Sequence, residues 1–386
     1  MSVKTSNTKV GLGVALAFTL LIAGCSSDAT PAEPNGDADP IIAGALFSMT
    51  GPLGPTGERI LAGVQIGIDE VNASGGVLGR QIELISADDE GTAAVAVNRA
   101  QELVAEDIDV VFEGVLSTVS LASQPIFARA GVMDVTITAA APDILAGTVN
   151  PDAVRLNADN DLTAQSIADY INAEGYENVV VLQQNDVYGD SQGGATIAAL
   201  DNEPSLIIRF DPKQTDFRVE MEQVIAADPD LVLIVNASSD TGGPAMLSQL
   251  RSAGYDGPFT MAPTTLTPTA IELAGGAADG GISTQAYIFD QEPFVSYPGT
   301  QRLVEAYKAF SDDPPTHEVA FAYTAVLVWA AAAEAAGNLE RSAVAAEIKG
   351  NSFDNTAFGE VSFDDKGQMS STLQLYRVEN GEIVTF

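Results

Sequence analysis

Residues 41–79, IIAGALFSMTGPLGPTGERILAGVQIGIDEVNASGGVLG, decide how the rest of the chain is read. The run 41–47 is apolar and rich in Ile and Leu, the pattern of a strand covered on both faces. Glycines and prolines crowd 50–57, and neither strand nor helix is expected to continue through them. Glu58 and Arg59 then open a helix, because Ile60, Val64, Ile68 and Val71 recur at three- and four-residue steps along one face. Residues 72–76 stop it with types that tolerate left-handed backbone, and 81–87 read as a second strand. Strand, loop, helix and strand make a βαβ unit, whose crossover is right-handed in nearly all cases. Ligands bind where loops leave the carboxyl ends of such strands, so the 50–57 loop is expected to form one wall of a ligand site.

Upstream, Lys4 and Lys9 precede the uncharged apolar run 10–23, the layout of a signal peptide. It ends in Leu21-Ile22-Ala23-Gly24-Cys25, followed by Ser26, Ser27 and Asp28, which resembles a bacterial lipobox. That resemblance implies a lipoprotein signal peptide over 1–24, cleavage before Cys25 and a lipid on its sulfur. Cys25 is the sole cysteine, so the mature domain has no internal disulfide, thiolate nucleophile or Cys-ligated metal. Residues 25–40, rich in Ala, Pro, Asp, Ser and Gly, are expected to be a disordered tether. The domain should begin near Ile41, outside the cytoplasm.

Downstream the alternation continues, with helices expected at 93–105 and 121–130 and strands at 109–113 and 132–138. A second series has strands at 178–184, 206–210, 231–235, 259–262 and 281–287, and helices at 193–200, 217–226 and 244–253. Strands separated by helices mean parallel sheets with helices on both faces, here in two lobes joined across 151–162. The last hundred residues read as helices at 300–310, 319–336 and 342–349 and a strand at 373–378. The run 319–333 carries no charge, but Glu318 and Glu334 close it short of the roughly 20 apolar residues a membrane span needs. A buried core helix is expected there.

At 386 residues, two to three domains fit a prior of about 150 residues each. Hydrophobic residues make up 46%, enough for large cores. A net charge of −36 argues against nucleic acid, whose phosphates need a Lys/Arg surface, and against adsorption to anionic membranes. Catalytic constellations are missing: there is one histidine, His317, and no G-x-S-x-G, H-E-x-x-H, Walker lysine or EF-hand loop. Asn157-Ala158-Asp159-Asn160-Asp161 begins like a calcium loop but lacks its Gly and final Glu. No enzyme, cofactor or metal is expected.

Several segments stand in a telling order. They are Thr50-Gly51-Pro52 after the first strand, Asp69-Glu70-Val71-Asn72 leading into Gly75-Gly76-Val77-Leu78-Gly79, Asp88-Asp89, Leu116-Ser117-Thr118, Tyr188-Gly189 and Thr215-Asp216-Phe217. Together they resemble the type I periplasmic binding proteins of the leucine/isoleucine/valine-binding kind, which serve ABC importers. The resemblance covers about 41–386. It implies an α/β fold of two doubly wound parallel-sheet lobes joined by three hinge crossovers, near 155–159, 286–290 and 358–363. Lobe one is expected to comprise 41–157 and 289–360, and lobe two 158–288 and 361–386.

The resemblance also implies a ligand site. A serine after the third strand binds the ligand carboxylate with help from helix-start amides, which places Ser117 and Thr118 there; Ser117 also suits a plain N-cap. After the fourth strand Ala139 aligns with a small residue, while Ala140 replaces a threonine and leaves the role to the nearby Thr138. Tyr188 matches a tyrosine lying over the ligand. Amino-acid binders carry an acid after the strand ending at 262, but here stands Pro263-Thr264-Thr265, so Asp240 or Asp186 is left to pair with a ligand ammonium. Thr56, Asn236 and Thr264 complete the expected set. The solute is expected to be an amino acid or another small carboxylate, and the partner an ABC permease met by a lipid-anchored monomer. A sensory ectodomain partnered with a signalling receptor and a secreted hydrolase are the alternatives.

Overall fold

The structure, a computed structural model, describes residues 39–386 other than Ser239, Thr241 and Thr264. The signal segment, Cys25, most of the tether and Thr264 therefore lie outside the described residues. The first sheet contains β1 (Ile41–Phe47), β2 (Ile82–Asp88), β3 (Val110–Glu113), β4 (Met133–Thr136) and β5 (Val154–Arg155). Between them run α1 (Gly54–Ala73), α2 (Ala93–Ala105) and α3 (Ser117–Ala130). After α4 (Asn160–Glu174) come β6 (Val179–Gln184), β7 (Leu206–Phe210), β8 (Leu231–Val235), β9 (Phe259–Met261) and β10 (Gly281–Gln285). These alternate with α5 (Val187–Ala199), α6 (Arg218–Ala227), α7 (Gly242–Ser252) and α8 (Pro268–Ala274). The chain ends with α9 (Pro298–Tyr307), α10 (His317–Ala336), α11 (Arg341–Gly350), the hairpin β11 (Ser352–Thr356) and β12 (Gly359–Ser362), then β13 (Gln374–Glu379) and β14 (Glu382–Thr385).

The first sheet has the order β2-β1-β3-β4-β5, all parallel. The second repeats that order as β7-β6-β8-β9-β10 and adds β13 and β14 antiparallel at the edge. Both are doubly wound, with the order reversing at β1/β3 and at β6/β8. Crevices form outside the carboxyl ends of strands at such reversals. The residues after β1, β3, β6 and β8 therefore set the place of any site.

Three passages link the sheets: after β5, after β10, and through 363–373. The third lies beyond the expected 358–363, because that segment is used in the β11–β12 hairpin, and Val361 and Phe363 pack in the first core. The first and third passages are bonded together. Arg155 N donates to Gly367 O at 2.8 Å and Met369 N to Arg155 O at 2.9 Å. The buried Arg155 side chain adds bonds from Nε to Gln368 Oε1 at 2.8 Å and from Nη1 to Ala141 O at 2.7 Å.

Late helices complete the first lobe. Phe321, Val326 and Trp329 of α10 share a core with Ile41, Phe47, Ile60, Val64 and Ile68. Among the described residues α10 is the one helix long and apolar enough to cross a membrane, but 72% of its most apolar window is buried within the protein. It lies close against α1 because two glycines allow it. A Cβ at Gly63 would stand 2.6 Å from Val319 O and 2.8 Å from Ala322 Cβ, and one at Gly67 2.8 Å from Val326 Cβ. Gly63→Ala should thus lower stability by about 1–3 kcal/mol through overpacking, against the gain of about 1 kcal/mol that helix propensity alone would give. Urea unfolding of the pair reads the sign, and a more stable variant would show that the helix seam is loose.

Candidate functional site

The loop after β3 turns at Gly114, whose φ of +96° and tight surroundings exclude a side chain; a Cβ would meet Ser120 Oγ at 2.8 Å. The turn delivers α3 with Ser117 as its first helical residue and Leu116 as N-cap, lacking any side-chain cap bond. Amides of a first turn have no intrahelical acceptor and offer partial positive charge. Ser117 is buried, and its Oγ accepts from Ala141 N at 3.2 Å, which leaves the hydroxyl proton to donate elsewhere. Thr138 has spent its proton on Gly114 O at 2.7 Å and keeps only lone pairs. Ala140 N–H has no acceptor among the described residues.

These groups line a cavity of about 50 Å³ between the two lobes. Thr56, Ser117, Thr138, Ala139 and Ala140 face it from the first lobe, and Tyr188 and Gln192 from the second. Asn157 and Asn160 stand at the first passage, where Asn157 Nδ2 donates to Thr138 O at 2.9 Å. Thr163 Oγ1 donates to Gln192 Oε1 at 2.7 Å. Burial pushes the Tyr188 phenol up, so it remains a neutral hydroxyl. No lysine or arginine lines the cavity.

The remaining wall is charged. Glu318, in the first turn of α10, and the adjacent His317 both face the cavity and are buried. Behind them Arg59 of α1 donates to Glu318 Oε1 from Nη2 at 2.8 Å and from Nε at 3.2 Å. Arg59 also grips Asp240 of the second lobe, Nη2 to Oδ2 at 2.9 Å and Nη1 to Oδ1 at 3.2 Å. Thr56 Oγ1 joins Asp240 Oδ2 at 3.1 Å. Burial opposes ionisation of Glu318, but the neighbouring His317 and Arg59 outweigh it and bring the carboxyl down to about 2. Burial lowers His317, which stays neutral near pH 7. Its Nδ1 lies 3.0 Å from Glu318 Oε2 but off the line a hydrogen bond requires.

Of the residues expected from sequence, Thr56, Ser117, Thr138, Ala139, Ala140 and Tyr188 come together at this cavity. Thr118 does not: it faces a separate inter-lobe space of about 390 Å³ with Leu116, Asp186 and Ala237. One residue along a helix turns the side chain by about 100°, which is why neighbours in sequence part company here. Asn236 lies outside this cavity's lining, and its Oδ1 accepts from Ser238 N at 2.8 Å. Asp240 is bound by Arg59 and Thr56 and forms no part of the cavity wall. Asp186 caps α5, accepting from Gly189 N at 2.9 Å. Glu318 and His317 stand outside the set expected from sequence; the signal for them is an acid opening a helix apolar on every side, which buries the acid with the helix.

Residues 40–382 match a family model described as periplasmic binding protein. The sequence is 27% identical over 340 residues to the leucine-, isoleucine-, valine-, threonine- and alanine-binding protein of Pseudomonas aeruginosa, covering 86% of this chain and 88% of that one. In structure it is similar to a leucine-binding protein of Thermotoga maritima, with a TM-score of 0.81 at 23% identity over 90% of this chain and 97% of the other. It is similar too to an ABC-transporter solute-binding protein of Rhodopseudomonas palustris solved with 3,4-dihydroxybenzoic acid, with a TM-score of 0.80 at 20% identity over 90% and 96%. At these identities the two structural likenesses speak for the fold.

Proposed function

The chain belongs to the periplasmic binding proteins, and on that premise we propose that it captures one small carboxylate-bearing solute between its lobes for an ABC importer. The observation that carries the reading is the cavity at both sheet reversals, where the Ser117 hydroxyl, the start of α3 and Ala140 converge, and where the Ser117 and Ala140 amides have no acceptor among the described residues. Helix-start amides and a hydroxyl suit a carboxylate, and neutral donors hold it without the salt-sensitive pull of a lysine. The cavity, of about 50 Å³, is on the scale of a small solute.

Capture is a hinge movement. The solute meets the first-lobe donors in an open cleft, and closure about the three passages brings Tyr188 and Gln192 over it. The loaded, closed protein is the form offered to the permease. The relatives' names divide on solute: one names branched-chain and small amino acids, another accompanies an amino-free aromatic acid. The lipobox-like 21–25 supports tethering through Cys25 on the outer face of the cell membrane.

Calorimetric titration with the common amino acids and small carboxylates tests the reading. Ser117→Ala should weaken the best of them by roughly ten- to a hundredfold, as loss of a hydrogen bond to a charged group costs about 1.5–3 kcal/mol. Unchanged affinity in that variant would move the carboxylate away from α3.

A further inference from the structure

A second cavity, of about 890 Å³, runs along the second passage. Residues 285–291 line it from the passage itself, α8 and the β13–β14 turn from the second lobe, and residues 315–317 from the first. It shares only His317 with the solute cavity. Bonds of their own hold these walls in place. Gly381 N donates to Asp279 Oδ1 at 2.9 Å, Gly280 N to Val378 O at 2.9 Å, and Gln291 Nε2 to Ile383 O at 3.2 Å. Gln285 and Tyr287 line the cavity and are each more than nine-tenths buried, yet neither side chain makes a well-aligned hydrogen bond among the described residues. Buried polar groups left in that state are costly, and they point to a polar occupant.

The charge of the lining is of one sign. Glu272, Asp279, Asp290 and Glu382 belong to it, and no lysine or arginine does. Glu272, Asp290 and Glu382 have no ion-pair partner among the described residues. The acids do not converge, since among the described residues no three acidic, histidine or cysteine groups stand close enough to hold a metal ion. An occupant that meets several of them must carry its positive charges apart from one another. The same lining offers apolar surface at Ile271, Ile288 and Ile383 and an aromatic ring at Phe289, which suit methylene groups and an ammonium respectively. We propose that this cavity is a second binding site, taking a linear di- or polyamine. Its separated ammonium groups meet the separated carboxylates, its methylene chain lies on the isoleucines, and its N–H groups supply donors to the Gln285 amide oxygen. The site stands apart from solute capture and does not depend on which solute the cleft takes.

The test titrates the mature protein calorimetrically with spermidine, putrescine and, as the uncharged counterpart of putrescine, 1,4-butanediol. Spermidine should bind saturably at one per chain and more tightly than putrescine, and the diol should not bind. Asp290→Asn combined with Glu382→Gln removes two exposed, unpaired acids of the lining and should weaken spermidine fivefold or more. Asp201→Asn combined with Glu203→Gln removes two exposed acids outside the cavity and should leave its affinity unchanged. All four side chains are exposed, so neither variant disturbs a core. Absence of saturable spermidine binding, or binding as tight in the first variant as in the wild type, overturns the site. So does an equal loss in both variants, which would mean that spermidine only screens a chain of net charge −36.

Discussion

Replacing Arg59 with methionine is expected to open the protein in the absence of solute, with the two lobes swinging apart while each stays folded. Arg59 is the ionic tie across the cleft: it is rooted in α1 of the first lobe and bound bidentately to Asp240 of the second. With it gone, Asp240 and Glu318, 6% and 3% exposed, would lose the guanidinium they share inside a closed cleft. Breaking a buried ion pair by removing one partner costs about 3–5 kcal/mol. The lobes can escape that cost by separating, since opening returns Asp240 to water. The loss therefore falls on the closed form and shifts the open-to-closed ratio by roughly a hundredfold or more. Small-angle X-ray scattering should show a larger radius of gyration, with circular dichroism unchanged. A scattering profile identical to the wild type would mean that the tie is idle. Asp240→Asn should act in the same direction and more weakly, because Arg59 keeps Glu318.

A second large effect concerns pH. Glu113 at the end of β3 and Asp134 in β4 are fully buried in the first sheet. Glu113 Oε1 accepts from Thr136 Oγ1 at 2.8 Å, but Glu113 Oε2 and both oxygens of Asp134 have no well-aligned hydrogen bond among the described residues. Burial, and next the charge of Asp134, raises Glu113 well above the usual range. Burial raises Asp134 from 3.8 to about 7, partly offset by Asn150 and Arg341. A carboxyl raised on folding binds its proton more tightly in the folded state, so its contribution is complete below the unfolded value and is lost as pH climbs through the folded one. For Asp134 that window runs from about pH 4 to about 7. The melting temperature should accordingly be higher at pH 5 than at pH 8, and Asp134→Asn should stabilise the protein at pH 8 and flatten the profile. A wild type equally stable at both pH values would show that Asp134 ionises freely in the fold.

Apolar periodicity made the framework legible. Ile60, Val64 and Ile68 mark the buried face of α1, and the apolar runs became strands in two sheets. Glycine was where the reading slipped. The sequence pattern places Gly54 and Gly57 in a loop and starts a helix only at Gly193, whereas α1 begins at Gly54 and α5 at Val187. Gly57 and Gly189 are glycines because backbone passes close by: a Cβ would lie 2.1 Å from Ser48 O at Gly57 and 1.9 Å from Gln184 O at Gly189. No single sequence distinguishes a glycine kept for contact from one kept for a turn. Helix α4 is hidden in the sequence for a related reason, as Asp159 resembles part of a cation loop but caps the helix, accepting from Leu162 N at 2.8 Å. The site was half legible. Ser117, the Ala139–Ala140 pair and Tyr188 follow strand ends, whose place the alternation fixes, whereas Glu318 reaches the cleft from a helix some two hundred residues beyond Ser117.

The seam between α1 and α10 also governs how the protein is assembled. Ile60, Val64 and Ile68 share their core with Phe321, Val326 and Trp329, so a nascent chain that has emerged only as far as β5 carries a sheet with an uncovered apolar side. The parallel strands β6 to β10, by contrast, are contiguous in sequence and bring α5 to α8 with them. The half that is synthesised first therefore stays open until α10 arrives, and until then it is a natural substrate for chaperones and proteases.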